Sequence, residues 1–242
     1  MTIPFVILVK ERPDMLKAMV ASIEQVTDPS TYRLIFVDNA SESPEVIEYL
    51  RELEIQHKVV RLPKNISIKG ISYGLTDVEE PFFIISDPDI KLNPNMPSNW
   101  INQFSAALIQ NPDIHKIGVA LNITFKSSRK IVEDITRWEG KYWAQRISME
   151  PVITEPCYSA SIDNTLAMLR SDQYRTVSGD IQYASHTFLP AVRVAGCFTA
   201  DHLGWDVYLQ YVKDIKYYST RCNMSVSGTT RYMLNTYPEI YS

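Results

Sequence analysis

The sequence predicts an α/β protein built on a Rossmann-type sheet, mixed but mainly parallel and flanked by helices, with a less regular second half. Short apolar runs alternate with stretches of helical periodicity over the first 120 or so residues, as in a parallel sheet covered by helices. Several of those runs are apolar at every position, which suits strands buried on both faces. Two of them stop abruptly in acid, at Asp38 and at Asp87-Pro88-Asp89.

Ile3 to Val9 is the first expected strand, and Pro13 then stands where a helix can begin. Met15, Leu16, Met19, Val20 and Ile23 recur at helical spacing behind it. Tyr32 to Val37 forms the second strand, and Ser43-Pro44 opens a helix whose apolar face is Val46, Ile47, Leu50 and Leu53. Lys58 to Leu62 and Pro81 to Ser86 are the third and fourth strands. Trp100 to Ile109 is a further helix, and Lys116 to Leu121 a strand.

Beyond residue 121 the periodicity weakens. Ser127 to Arg146 is charged and holds Trp138 and Trp143, suiting a helix or loop–helix along a cleft. Thr165 to Arg170 reads as a strand returning to the sheet, and a polar stretch follows to about Ser185. Ala191 to Tyr211 combines a short strand with Asp201-His202-Leu203-Gly204-Trp205-Asp206. With no repeat or linker in view, the expectation is one domain over 1–242, with halves 1–121 and 122–242.

Bulk composition limits the function classes. In 242 residues, 45% hydrophobic and 21% charged side chains suit a globular protein with a sizeable core. The formal net charge of −4 gives no surplus to neutralise phosphates, so no nucleic-acid polymer is expected as partner. Three widely spaced cysteines, Cys157, Cys197 and Cys222, fit neither a metal site nor a disulfide framework, which points to a cytoplasmic protein. The apolar start runs into Lys10-Glu11-Arg12 too soon to span a bilayer, so no transmembrane segment is expected. Peripheral membrane contact and oligomeric state stay open.

The carboxylates carry the chemistry. Ligands of open α/β sheets bind beyond the carboxyl ends of the strands, where Asp38, Asp87 and Asp89 fall. Acids spaced like Asp87 and Asp89 can share a hard divalent cation and the diphosphate attached to it. Pro88 fixes φ and biases Asp87 to an extended backbone, so the turn is stiff. Mg²⁺ or Mn²⁺, with oxygen ligands in a demanding geometry, suits such a turn.

Three segments in order resemble the nucleotide-sugar half of family 2 glycosyltransferases of the GT-A fold. They are Phe5-Val6-Ile7-Leu8-Val9-Lys10-Glu11-Arg12-Pro13, Leu34-Ile35-Phe36-Val37-Asp38-Asn39-Ala40-Ser41 and Phe82-Phe83-Ile84-Ile85-Ser86-Asp87-Pro88-Asp89. Ile162-Asp163-Asn164-Thr165-Leu166-Ala167 and Arg193-Val194-Ala195-Gly196, continuing to His202-Leu203-Gly204-Trp205, resemble two segments of bacterial members. Lys10 and Glu11 replace the family's tyrosine and asparagine, Asn65 to Ser72 stands for its glycine- and arginine-rich segment, and its glutamate–aspartate pair has no clear counterpart.

The resemblance implies transfer of a sugar, with inversion, from a nucleotide diphosphate sugar, uridine-linked, to a carbohydrate or glycoconjugate hydroxyl. Lys10, Glu11 and Arg12 would frame the nucleoside, Asp38 would contact the base, and Asp87 would lie near ribose and phosphate. Asp89 would ligate Mn²⁺ or Mg²⁺, with His202 completing the site. Asp163, which precedes the returning strand, is the first choice of catalytic base, with Asp201 and Asp206 as alternatives. Lys69 or Arg193 could add positive charge, and the tryptophans could stack on an acceptor sugar. Two other functions stay open. A nucleotidyltransferase would normally carry a glycine-rich basic loop, absent from Lys10 to Asp14. A carbohydrate- or nucleotide-sugar-binding module would bind without turnover.

Overall fold

The first strand explains the layering. In the computed structural model, which describes residues 2–125, 130–172, 190–205, 209–221 and 235–236, β1 (Ile3–Val9) is central and buried on both faces. Side chains alternate along a strand, so Ile3, Phe5, Ile7 and Val9 enter one core cluster. Val6, with Leu8 packed beside it, enters a second cluster on the opposite face. α1 (Pro13–Val26) closes the first face with Met15, Leu16, Met19 and Ile23. α4 (Trp100–Gln110) adds Trp100 and Phe104 to that face. Each such side chain, fully buried, contributes roughly 1.5–3 kcal/mol of transfer free energy.

β1 pairs in parallel with β2 (Tyr32–Asp38) on one side and β4 (Phe82–Ser86) on the other. β3 (Lys58–Arg61), the half-exposed edge, lies parallel to β2. α2 (Pro44–Leu53) links β2 to β3, and α3 (Ile71–Gly74) packs on the second face. Past β4 the chain makes β5 (Ile90–Leu92), then β6 (Lys116–Val119) after α4.

Residues beyond 121 continue the same sheet. α5 (Lys130–Glu139) leads through a 3-10 turn at Gly140–Trp143 to β7 (Arg146–Met149) and β8 (Ile153–Ser159). β9 (Ala167–Arg170) runs antiparallel to both β4 and β6, and β10 (Ala191–Val194) is parallel to β6. The order is therefore β3-β2-β1-β4-β9-β6-β10-β8-β7. β11 (Ala200–His202) pairs with β5 in a separate two-stranded sheet, and α6 (Val212–Arg221) follows.

The architecture is the expected one: a large mixed sheet with a parallel β3-β2-β1-β4 block, flanked by helices. The strands that periodicity missed are β5, β7, β8 and β11. β5 and β11 have three residues each, and β8 contains Glu155-Pro156 in place of alternating apolar positions. Among the described residues, no helix is long and apolar enough to cross a membrane.

Candidate active site

The parallel block runs outward from β1 in both directions, to β2 and β3 on one side and to β4 on the other. Such a switch in strand order opens a crevice at the carboxyl ends. A cleft of about 300 Å³ occupies it, with Lys10, Arg12, Asn39, Asp87, Asp89 and Asp163 in its wall.

Asp89 is the buried centre of this cleft, 1% exposed. Its Oδ2 accepts a hydrogen bond from the Arg12 guanidinium, a contact between residues 77 apart in the chain. The pairing of β11 with β5 sets His202 opposite Ile90, and the Leu203 amide donates to the Asp89 carbonyl at 2.7 Å. That register brings His202 Nδ1 to 3.9 Å from Asp89 Oδ2. The imidazole stacks on Trp205, with ring centroids 5.0 Å apart and planes 10° from parallel. Gly204 leaves room here: a Cβ at that position would lie 2.6 Å from Asp89 Oδ2.

Residues suited to a cation meet at this point. Asp89 Oδ1 and His202 Nδ1 are buried with no hydrogen-bond partner, and buried polar atoms left so are uncommon. Among the described residues, no group of three or more His, Cys, Asp or Glu side chains is gathered to hold a metal ion. A carboxylate and an imidazole nonetheless fit a small divalent ion that takes its remaining ligands from substrate phosphates and water.

The five residues expected around the nucleotide divide. Lys10, Arg12 and Asp87 line the cleft. Lys10 Nζ donates to the Ala40 carbonyl at 2.5 Å, and the Arg12 guanidinium lies 3.9 Å from the Tyr218 ring centroid of α6. Burial pushes the Asp87 carboxyl up to about 8, reinforced by the negative charges of Asp89 and Asp163. Glu11 lies behind the cleft, fully buried, and its two oxygens accept the amides of Glu42 and Ser43 at 2.7 and 3.0 Å. Its geometry is that of an anchor for the start of α2. Asp38 is also turned inward, its Oδ1 accepting the Ser41 amide at 2.8 Å. Asn39 lines the cleft beside it, tied to the Asn65–Gly70 segment through the Ile66 amide and the Ser67 carbonyl.

Asp163 lies in the loop before β9, with Oδ1 accepting the Thr165 hydroxyl at 2.7 Å and its amide at 3.1 Å. Desolvation by the surrounding protein acts to raise its carboxyl, but these two bonds, with Arg193 and His202 nearby, outweigh it and hold the group below the usual carboxylate range. The group is thus ionised near neutrality, the state in which a carboxylate can accept a proton. Asp163 also lines a second cavity of about 180 Å³, together with Thr165, His202 and Trp205.

The second cavity adds Trp138, 43% exposed, and Tyr142. Arg193 lies on this side and not on the Asp89 side. Its guanidinium pairs with Glu139, stacks 4.1 Å from the Tyr142 centroid and donates from Nε to the Ser161 carbonyl at 2.9 Å. Lys69 is exposed. Trp143 packs against Tyr158 of β8, 5.4 Å between ring centroids. Asp201 faces β5 and accepts from Asn122 Nδ2 at 3.1 Å, outside both cavities, while Asp206 lies outside the described residues.

Residues 5–146 match the sequence profile of glycosyl transferase family 2. The chain belongs to that family. No curated protein sequence matches it, but solved glycosyltransferases share its fold. S. aureus TarS residues 1–349, known also in complex with UDP-GlcNAc, superposes with a TM-score of 0.54 at 9% identity, covering 100% of this chain and 72% of that one. GalNAc-T7, solved with UDP, GalNAc and Mn²⁺, gives a TM-score of 0.57 at 13% identity, covering 97% and 54%. This glycosyltransferase chain thus spans about half the length of the GalNAc-T7 chain it resembles.

The candidate site of this glycosyltransferase also draws on residues that sequence reasoning did not single out: Asn39 and Thr165 beside named acids, Glu139 in α5 and Tyr218 in α6. Asn39 and Thr165 had a signal, since each lies within two positions of an acid at a strand boundary. Glu139 and Tyr218 had none, because tertiary packing alone brings their helices to the cleft.

Proposed function

We propose that this enzyme transfers a sugar from a nucleotide diphosphate sugar, uridine-linked, to a hydroxyl of a carbohydrate or glycoconjugate, with Mn²⁺ or Mg²⁺ and with inversion. The observation that carries the reading is the place of Asp163, an ionised carboxylate in the wall of both cavities. The donor occupies the Asp89 cavity, and the acceptor occupies the cavity of Trp138, Glu139 and Arg193.

Asp89 and His202 would hold the cation, which when bound supplies Lewis-acid stabilisation to the departing diphosphate. Arg12 and Lys10 bring further positive charge to that side of the cleft. The acceptor oxygen attacks the anomeric carbon as the bond from that carbon to the phosphate oxygen breaks. Asp163 takes the acceptor proton, and the electron pair leaves with the diphosphate. Attack from the side opposite the leaving group inverts the anomeric centre. Trp138 offers an apolar face to the acceptor ring, while Glu139 and Arg193 supply hydrogen-bonding groups for its hydroxyls.

Calorimetry with UDP and GDP, each with and without Mn²⁺, tests the donor side. The expected result is Mn²⁺-dependent binding of UDP that Asp89→Asn weakens at least about tenfold. Equal binding with and without the ion, or an unaffected Asp89→Asn chain, would overturn the metal assignment. Failure of every nucleoside diphosphate to bind would overturn the function.

A further inference from the structure

Lys116 is a buried cation with no part in the reaction outlined above. It starts β6 at 1% exposure, an uncommon place for an ammonium group. Its Nζ donates to the carbonyl of Ile162 at 2.7 Å and to that of Asp163 at 2.8 Å. Both acceptors belong to the loop that presents Asp163. Two residues along β6, Gly118 lets the strand close on the far end of that loop, where an added Cβ would lie 2.5 Å from the Leu166 carbonyl. β6 therefore grips the loop at both ends.

We infer that Lys116 is the positioning residue for Asp163, fixing the 162–166 loop so that the carboxylate faces the junction of the two cavities. A lysine suits the task because its long stem crosses the sheet–loop gap and one nitrogen serves two carbonyls. The grip does not depend on its protonation. Burial lowers the Lys116 amine to about 7, and the neutral form keeps two N–H groups, enough for both bonds. The catalytic consequence rests on the reading of Asp163 as base, whereas the ordering of the loop does not.

The test compares Lys116→Met, which keeps the stem and removes both donors, with the unaltered chain and with Asp163→Asn. Small misplacements of a reacting group cost on the order of 100-fold. A drop of about that size in kcat is expected for Lys116→Met, with donor KM changed less than about threefold. Adding Lys116→Met to Asp163→Asn is expected to cost little more, since interacting residues are not additive. Amide exchange in residues 164–166 is expected to speed at least tenfold on the order-of-magnitude scale of local opening, while β1 and β2 keep their protection.

Unchanged kcat, independent losses in the double variant, or exchange that accelerates equally across the sheet would overturn the inference. The last pattern would make Lys116 a general core residue. Should Lys116→Met fail to fold, Lys116→Leu, which also removes both donors, is judged by the same criteria. A parent chain that turns over no nucleotide sugar would refute the proposed function, and the exchange comparison would still decide whether Lys116 orders the loop.

Discussion

The backbone amide of Asp87 donates to the carbonyl of Asn164 at 3.0 Å. The acidic turn after β4 and the loop that carries Asp163 are thereby one hydrogen-bonded unit, although the sequence separates them widely. Main chain, and not only side chains, therefore sets the distance between the Asp87 turn and the Asp163 loop.

Asp163→Asn keeps the shape of the side chain and removes its capacity to accept a proton. A general base contributes typically about 100- to 10,000-fold, so kcat is expected to fall within that range. Affinity for UDP with Mn²⁺ should stay within about twofold, because Asp163 contributes nothing to the diphosphate end in this mechanism. Steady-state kinetics with calorimetry decide the matter, and near-normal turnover would remove Asp163 from its role.

Gly204→Ala places a methyl group 2.6 Å from Asp89 Oδ2 and 3.0 Å from His202 Cε1. One of those side chains must then shift, and Mn²⁺-dependent UDP affinity should fall by at least about tenfold. Gly140→Ala is the control, since a Cβ there meets nothing within 4 Å. Equal affinities in the two variants would show that the Gly204 gap has no bearing on the cation.

The Asp87 carboxyl, raised to about 8, gives stability a pH dependence in the metal-free protein. Its folded value exceeds its ordinary one of 3.8, so between the two the folded chain keeps a proton that the unfolded chain releases. The contribution is complete below about pH 4 and is lost as pH rises through about 8. Thermal unfolding in chelator from pH 5 to 9 should show a decline that Asp87→Asn flattens. A decline of the same slope in both chains would refute this origin.

Glu11→Gln tests whether this acid frames a nucleotide or anchors a helix. The amide side chain can satisfy only one of the two backbone donors at Glu42 and Ser43. The loss should be about 1–3 kcal/mol, a fall in Tm of roughly 2–4 °C per kcal/mol for a chain of this size. Donor KM should hold. A tenfold rise in KM with unaltered Tm would return Glu11 to the nucleotide.

The sequence made the parallel block legible because β1, β2 and β4 are largely apolar on both faces and run into charge, at Lys10, Asp38 and Asp87. Asp87 and Asp89 were legible as two acids at the end of a buried strand, and the structure places both in the cleft wall. Asp38 and Glu11 show where such reasoning stops. An acid at a strand end can face a ligand or turn back to satisfy backbone amides, and only the side-chain direction, fixed by the neighbouring loop, separates the two. The Arg12–Asp89 pair was hidden by its separation of 77 residues. The approach of His202 was hidden as well, because it depends on two three-residue strands with no periodicity to detect.

The strand order has a consequence for the birth of the protein. β4 and β6 both come from the first 121 residues, yet they do not touch, because β9 lies between them. A nascent chain that has emerged only to residue 121 has β4 as an open edge and β6 without either of its neighbours, since β10 also comes later. An unpaired strand or edge is a row of free amides and carbonyls, open to capture by another chain. The sheet becomes continuous there only when residues 167–170 arrive, so shorter ribosome-bound intermediates keep these strands open to wrong pairing.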